Sequence, residues 1–236
     1  EGRRGALMIS LNCNHPDLEE FIGIKSDLTR VTKANISVRL TDDFMRAVET
    51  GDNYTLSYIR EATGEVVEKV VNAKELFYKI AEMNWRTAEP GVLYWDKIKN
   101  WNLLSDYDNF EFAGVNPCSE EPLPAGGSCL LGSINLSEFV VHPFSKDAVF
   151  DYQGFGEAVC TAVKTLNDVL DEGQPLHPLE EQRTSVRDWR QIGLGIMGLA
   201  DMLIKMGCRY GSVDALRMCN KISSTFLNAA IVESTD

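Results

Sequence analysis

Three side chains with reactive polar groups alternate in the stretch NPCSE: Asn116, Cys118 and Glu120. Residues two apart in an extended segment project to the same side, so this spacing predicts an amide, a thiol and a carboxylate around one small volume at a loop tip. The amide can bind a hydroxyl, the thiol can do redox or nucleophilic chemistry, and the carboxylate can accept a proton. A proline-rich surface loop with a chance thiol explains the same pattern, so the spacing alone leaves both interpretations open.

A second candidate is GLGIMG, residues 193–198, which has the Gly-x-Gly-x-x-Gly spacing of a dinucleotide-binding turn. Such a turn requires a buried apolar strand directly before its first glycine, whereas residues 180–191 are charged or polar except for Val186 and Trp189. The apolar spacing after residue 195 favours a helix that begins near Gly195, packs closely and holds no cofactor. An NAD-binding dehydrogenase is kept as an alternative function, and a non-catalytic interaction domain as another.

Composition excludes several classes of protein. The 236 residues carry a net charge of −12, which argues against nucleic-acid binding because polyanions are bound by clustered Lys and Arg. No apolar run is long enough to cross a membrane. Six cysteines form no C-x-x-C and only three histidines occur, so we expect reduced cytoplasmic thiols and no metal site. Both ends look cut, which indicates an internal piece of a longer polypeptide.

Most of the remaining candidate side chains are expected to be structural. We expect core or inert positions for four cysteines, loop or cap positions for the three histidines, and packing positions for the tryptophans. The residues concerned are Cys13, Cys160, Cys208, Cys219, His15, His142, His177, Trp85, Trp95, Trp101 and Trp189.

The elements that must position these residues alternate between strand and helix in the first half of the chain. We predict a buried strand at 6–11, a helix with Pro16 at its first position, and a second strand at 34–40 followed by a helix with Thr41 as its N-cap. A hairpin turning near Gly64 follows. The pattern then predicts a helix at 73–88 with Trp85 on its core face, a strand at 91–96 and an irregular stretch at 102–128.

The second half is predicted to be mainly helical, with helices at 153–171, 178–190, 195–207 and 213–233. Strand and helix alternation that gives way to helices favours an α/β core with parallel strands and a helical extension. We therefore predict a single domain over 1–236, with an α/β part at about 1–140 and a mainly helical part at about 150–236.

Seven stretches, in order over nearly the whole chain, resemble the catalytic alpha chain of ribonucleotide reductases, especially the adenosylcobalamin-dependent class. NPCSE followed by SCLLGSINL is the most specific. The stretches are GRRGALMISL, HPDLEEFI, ANISVRLTDDFMRAVE, PGVLYWDKI, NPCSEEPL, GSCLLGSINLSEFV and RQIGLGIMGLADML. The resemblance implies about the first half of a ten-stranded α/β barrel, with GLGIMG in one of its helical segments.

The resemblance also implies a role for each residue of the cysteine loop. Cys118 corresponds to the cysteine that becomes a thiyl radical and takes the 3′ hydrogen of a ribonucleotide. Glu120 matches the carboxylate that deprotonates the 3′ hydroxyl, and Asn116 matches the amide that binds the sugar hydroxyls. Cys129 matches one member of the cysteine pair that supplies two electrons and forms a disulfide. The parent reaction makes deoxyribonucleotides for DNA synthesis.

Further expectations concern ligands and partners. The resemblance implies a ribonucleoside di- or triphosphate substrate, dNTP or ATP effectors, a thioredoxin-like reductant, the rest of the alpha chain and a homodimer. The loop between Ile24 and Asn35 matches the one that links effector and substrate sites, where Arg30, Thr32, Lys33 and Asn35 can contact phosphate or base. The radical source is expected to be adenosylcobalamin, or alternatively a metal-containing partner subunit. The other reducing cysteine and the phosphate loop fall outside this sequence, so the isolated chain is expected to be inactive.

Overall fold

Parallel strands connected by helices form the scaffold of both halves of the chain. The computed structural model describes residues 5–27 and 29–235. They divide into an N-terminal unit, Glu1–Ala125, and a C-terminal unit, Gly126–Asp236. The outermost residues of the predicted 1–236 domain, 1–4 and 236, lie outside the described residues, and the single-domain interpretation stays a prediction.

The N-terminal unit is built on a parallel sheet of three strands in the order β1–β2–β5. An antiparallel hairpin, β3–β4, and the short pair β6–β7 complete its strands. In chain order the elements are β1 (Leu7–Asn12), α1 (Leu18–Gly23), β2 (Ala34–Leu40), α2 (Asp42–Thr50), β3 (Asn53–Ile59), β4 (Val66–Asn72), α3 (Ala73–Thr87), β5 (Gly91–Tyr94), α4 (Trp95–Asn100), β6 (Gly114–Val115) and β7 (Pro122–Leu123).

Local sequence explains the centre of this unit well. Val38 and Leu40 of β2 face a core that also takes in Phe44 of α2. The Thr41 side chain accepts a hydrogen bond from the Phe44 amide at 3.3 Å, which caps α2 as predicted. The predicted strand at 34–40 and the hairpin around Gly64 are confirmed with the expected pairing.

Three local predictions for this unit are wrong. The first strand is not buried, because it lies at the sheet edge and leaves Leu7 55% exposed. Pro16 precedes its helix rather than starting it, since α1 begins at Leu18 after Asp17. Trp85 is 85% exposed, because the buried face of α3 is formed by Leu76, Ile80 and Met83 together with Ala73. The apolar spacing predicted a buried face that was too wide, because it included Trp85.

The C-terminal unit contains one parallel pair, β8 with β11, in which Ile192 is opposite Leu130. The two strands are connected through the long helix α5, which packs on both of them and on α8. The elements are β8 (Leu130–Asn135), β9 (Val140–Val141), β10 (Val149–Phe150), α5 (Tyr152–Gly173), α6 (Glu180–Trp189), β11 (Ile192–Met197), α7 (Leu199–Lys205) and α8 (Val213–Thr235).

The prediction of a helix beginning near Gly195 is wrong. Residues 192–197 form β11, and the helix starts only at Leu199. The apolar residues of this stretch fit helical spacing, but the parallel partner β8 provides backbone hydrogen bonds that periodicity does not reveal. The helices predicted at 153–171, 178–190 and 213–233 are confirmed within a few residues.

The α/β class with parallel strands is therefore confirmed, and strands also occur in the half predicted to be mainly helical. Over residues 5–27 and 29–235 the strands form separate small sheets and do not close into a barrel. In this same part of the chain, no helix is both long and apolar enough to cross a membrane.

Candidate active site

Cys118 lies in a tight loop, residues 116–121, which we call the cysteine loop. It connects β6 to β7, where Val115 is opposite Pro122. The Asn116 backbone N–H donates to the Glu121 backbone carbonyl at 3.1 Å. The Asn116 side-chain oxygen accepts from the Glu121 backbone N–H at 3.0 Å. The side chain of Asn116 therefore helps to close the loop that carries the thiol.

The expected extended conformation of this loop is wrong. A turn at Pro117 and Cys118 is followed by Ser119 in the left-handed region, with φ of +70°, because the chain must reverse between two antiparallel strands. Cys118 and Glu120 are exposed and Asn116 is half-buried. Alternation in sequence consequently gives no argument for a shared side, and the three catalytic roles stay predictions.

Strand β2 holds the cysteine loop and the chain leading into it. Asn35 donates from Nδ2 to the carbonyl of Pro117 at 2.6 Å. Arg39 donates from Nη2 to the carbonyl of Ala113, just before β6, also at 2.6 Å. Both donors come from the same strand, and both acceptors are backbone carbonyls on the way to Cys118.

Arg39 is itself fixed on several sides. Its Nε donates to the Ser10 hydroxyl of β1 at 2.9 Å, and its guanidinium carbon lies 4.1 Å from the centre of the Trp95 ring. Burial lowers the pKa of Arg39, although a guanidinium stays charged at any physiological pH. Sequence reasoning did not single out Arg39; the only signal was the polar residue at every second position of β2.

The loop between Ile24 and Asn35 is anchored by a partly buried ion pair. Lys25 bonds to Glu89, and the two side chains are 13% and 23% exposed. Glu89 also accepts from the Ile36 amide at 2.8 Å through its other oxygen. Within the loop, Val31 has φ of +49°, a strained backbone for a β-branched residue. Lys25 and Glu89 were not predicted to matter.

The four residues expected to contact phosphate or base occupy different settings. Arg30 is exposed and lies 3.8 Å from Glu20, and Thr32 and Lys33 are exposed. Asn35 lies in β2 rather than in the loop, and its side chain donates a hydrogen bond to the cysteine loop. Their contacts with a nucleotide stay a prediction.

Cys129, the predicted reducing cysteine, directly precedes β8 in the C-terminal unit. It is half-buried. Cys13 is fully buried beside Thr41, with 3.6 Å between sulfur and hydroxyl, as expected for a core cysteine. Trp85 and Trp101 are more than four-fifths exposed. The prediction that these two side chains pack in the core is therefore wrong.

The GLGIMG stretch does not form a dinucleotide turn. Gly193 and Gly195 lie inside β11, and the preceding element is the helix α6 rather than a strand. Only Gly198 lies between strand and helix, with φ of +71°, and a Cβ there would overlap the Asn135 side-chain oxygen. Gly198 therefore leaves space for the Asn135 side chain. The dehydrogenase alternative has no support.

Comparison with known proteins decides the family. A family profile described as "Ribonucleotide reductase, barrel domain" matches residues 1–236. The chain belongs to this ribonucleotide reductase family. The fold class and the family inferred from the seven stretches are thereby confirmed.

Individual relatives agree with this assignment. The chain is 39% identical over 227 residues to a vitamin B12-dependent ribonucleoside-diphosphate reductase of Thermoplasma acidophilum, covering 96% of this chain and 28% of the relative. It is 34% identical over 229 residues to the protein of the same name from Mycobacterium tuberculosis, covering 97% and 31%. A vitamin B12-dependent ribonucleotide reductase of Streptomyces clavuligerus is 31% identical over 257 residues, covering 99% and 26%. The chain thus spans less than a third of the length of these three relatives.

Proposed function

We propose that this chain is part of the catalytic barrel of a ribonucleotide reductase and carries its radical cysteine, Cys118. The observation that carries the proposal is the cysteine loop. An exposed thiol is held on a closed turn between Asn116 and Glu121, within a chain matched along its whole length by the reductase barrel family. A non-catalytic interaction domain would have no need of this arrangement.

The chemistry follows from the groups on the loop. With Cys118 as a thiyl radical, its sulfur takes the hydrogen from C3′ of the ribonucleotide and becomes a thiol. Glu120 accepts the proton of the 3′ hydroxyl, and the Asn116 amide donates to a sugar hydroxyl. The 2′ hydroxyl leaves as water, a pair of thiols that includes Cys129 supplies two electrons and becomes a disulfide, and the hydrogen returns to C3′. The net reaction converts a ribonucleotide and two thiols into a deoxyribonucleotide, a disulfide and water.

The names of the relatives support adenosylcobalamin as the radical source, with a metal-containing partner subunit as the alternative. An apolar hollow of about 310 Å³ beside Leu194 and Phe226 lies in the C-terminal unit. This volume is at the lower end of the roughly 300–1,000 Å³ occupied by drug-sized ligands, and a corrin is larger. The hollow does not fit the cofactor, and we derive no step through it.

The remaining parts of the proposal come from the family resemblance. They are a nucleoside diphosphate or triphosphate substrate, dNTP or ATP effectors, a thioredoxin-like reductant, a homodimer and a cytoplasmic location. Two of the relatives are named for a diphosphate substrate, which supports the diphosphate. The 236-residue chain alone is expected to form no detectable deoxyribonucleotide, because it spans less than a third of those relatives.

The test uses the full-length reductase that contains this segment, with CDP or CTP, adenosylcobalamin and a dithiol. Replacing the thiol, Cys118→Ser, is expected to lower deoxyribonucleotide formation by about a thousandfold or more, because a hydroxyl cannot replace the sulfur radical. Cys219→Ser, at a half-buried cysteine of α8, is the matched control and should leave the rate near that of the wild type. A Cys118→Ser enzyme with wild-type activity would show that the proposal is wrong.

A further inference from the structure

Strand β2 has a polar face as well as a core face. Ile36, Val38 and Leu40 are buried, and the alternate positions carry Asn35, Ser37 and Arg39. Alternate side chains of a strand point to opposite faces, so three polar residues line the face opposite the apolar core. Two of them, Asn35 and Arg39, bond to the segment that leads to Cys118.

We infer that Asn35 and Arg39 are positioning residues for the radical cysteine, an inference that rests on the proposed function of Cys118. They lie four positions apart on β2, which is about 13 Å along a strand. Their acceptors, the carbonyls of Ala113 and Pro117, are also four positions apart. The arm of the hairpin from 113 to 117 is therefore fastened at both of its ends to one rigid strand.

The bond from Asn35 acts next to the reactive residue. Pro117 has no amide hydrogen, so its carbonyl is its one backbone group for a hydrogen bond. That carbonyl belongs to the planar peptide unit that continues into the Cys118 nitrogen. The 2.6 Å hydrogen bond from Asn35 fixes the direction of this carbonyl and therefore restricts the orientation of the Cys118 backbone.

Arg39 is suited to fix the other end. Its guanidinium reaches β1 through Ser10, stacks on Trp95 and donates to Ala113 from a different nitrogen. Among the residues that the structure describes, no carboxylate forms an ion pair with Arg39, so its charge strengthens the bond to the carbonyl. A lysine has a single nitrogen and cannot serve Ser10 and Ala113 with the same geometry.

These two side chains matter because they bond the hairpin to the sheet, whereas the bonds between Asn116 and Glu121 join the two arms of the hairpin to each other. The pair β6–β7 consists of only two residues on each strand. Hydrogen transfer between sulfur and carbon is sensitive to displacement, and a misplacement of about 1 Å can cost about a hundredfold in rate. Loss of either donor should therefore lower the rate of the chemical step rather than the affinity for the nucleotide.

The experiment compares variants of the full-length reductase that contains this segment, assayed with CDP or CTP, adenosylcobalamin and a dithiol. Asn35→Asp places an acceptor against the Pro117 carbonyl, Asn35→Ala only removes the donor, and Arg39→Lys keeps the charge. Asn53→Asp and Arg46→Lys, at exposed positions of β3 and α2, are the matched controls.

We expect Asn35→Asp and Arg39→Lys to lower kcat by about tenfold with KM changed by less than about twofold, and Asn35→Ala to have a smaller effect. The isotope effect from deuterium at C3′ should rise in the same variants, because hydrogen transfer becomes more rate-limiting. A purely structural role would lower kcat only in proportion to the folded fraction and would leave the isotope effect unchanged.

Each other outcome has a distinct meaning. Wild-type kcat in Asn35→Asp and Arg39→Lys, with an inactive Cys118→Ser enzyme, would overturn the inference and leave the proposed function intact. A raised KM with unchanged kcat would also overturn it and would assign Asn35 to a ligand contact. An active Cys118→Ser enzyme would overturn the proposed function itself. If Arg39→Lys does not fold, the Asn35 variants decide, since Asn35 is exposed.

Discussion

The N-terminal and C-terminal units both use parallel strands linked by helices, but they stabilise them differently. The N-terminal core is mainly aliphatic, and polar side chains outside it fasten loops to the sheet. The C-terminal core includes a ring cluster in which Phe155 lies 5.4 Å from Phe139, 5.5 Å from Phe150 and 6.1 Å from Phe226. The unit with more polar fastening is the one that carries the proposed radical cysteine.

The two units also show that the spacing of a motif does not by itself identify a ligand-binding site. GLGIMG has the spacing of a nucleotide site, but in the C-terminal unit it forms a strand followed by a glycine that packs against the Asn135 side chain. NPCSE lacks the glycine spacing of a nucleotide site, yet one of its backbone carbonyls, that of Pro117, accepts a hydrogen bond from Asn35 of β2. Reactive groups need defined positions, and those positions come from hydrogen bonds around them.

The largest expected effect separates the two cores. Phe155→Ala should destabilise the C-terminal unit by about 4 kcal/mol, because it removes a fully buried ring from an aromatic cluster. Phe44→Ala, equally buried in the mainly aliphatic N-terminal core with the Tyr54 ring at 5.1 Å, should cost about 3 kcal/mol. Urea unfolding of the two variants measures both values. A larger loss for Phe44→Ala would contradict the distinction between the cores.

The ion pair between Lys25 and Glu89 tests how much polar side chains stabilise the N-terminal unit. Lys25→Met leaves the Glu89 carboxylate partly buried without its cation and should cost about 2 kcal/mol. The double variant Lys25→Met with Glu89→Gln should recover part of this loss, because the amide oxygen can still accept from Ile36. Lys69→Met, which breaks a more exposed pair with Glu19, is the control and should cost less than about 1 kcal/mol. An equal fall in Tm for Lys25→Met and Lys69→Met would show that the partly buried pair does not stabilise the unit more than the other pair does.

Two glycines of GLGIMG give a matched pair within the C-terminal unit. Gly198→Ala should destabilise by about 2 kcal/mol, because Gly198 has φ of +71° and its Cβ would overlap the Asn135 oxygen. Gly195→Ala should change stability by less than about 1 kcal/mol, since the nearest atom to its Cβ is the Ser133 hydroxyl at 3.8 Å. Chemical denaturation distinguishes them, and a neutral Gly198→Ala would show that the close approach is not required.

The smallest expected effect concerns pH. Hydrogen bonds from Arg190 lower the pKa of the Asp171 carboxyl below its ordinary value of 3.8. Because the folded pKa is the lower one, the pair's stabilisation is present above the ordinary value and is lost as pH falls through the folded one. Asp171→Asn should therefore reduce the fall in Tm between about pH 5 and about pH 3. Asp168→Asn, on the same helix, is the control, and identical Tm profiles for all three proteins would contradict the prediction.

Much of the fold could be predicted from the sequence where local signals act alone. The strand at 34–40, the Thr41 cap and the hairpin around Gly64 depend on neighbouring residues, and all three are confirmed. The sequence also identified the family through NPCSE and its companion stretches. It failed at 192–197, where the helical spacing is overruled by pairing with β8.

The sequence by itself determined which residues carry chemical groups, where most helices and the first five strands lie, and which family they form. Only the tertiary structure decided what surrounds Cys118. Asn35 and Arg39 bond to carbonyls that are 82 and 74 positions away in the chain. The direction of such contacts depends on the packing of strands that are distant in sequence, and neither composition nor spacing encodes it locally. The same reason makes Gly198 a point of close approach to Asn135 rather than the turn of a cofactor site.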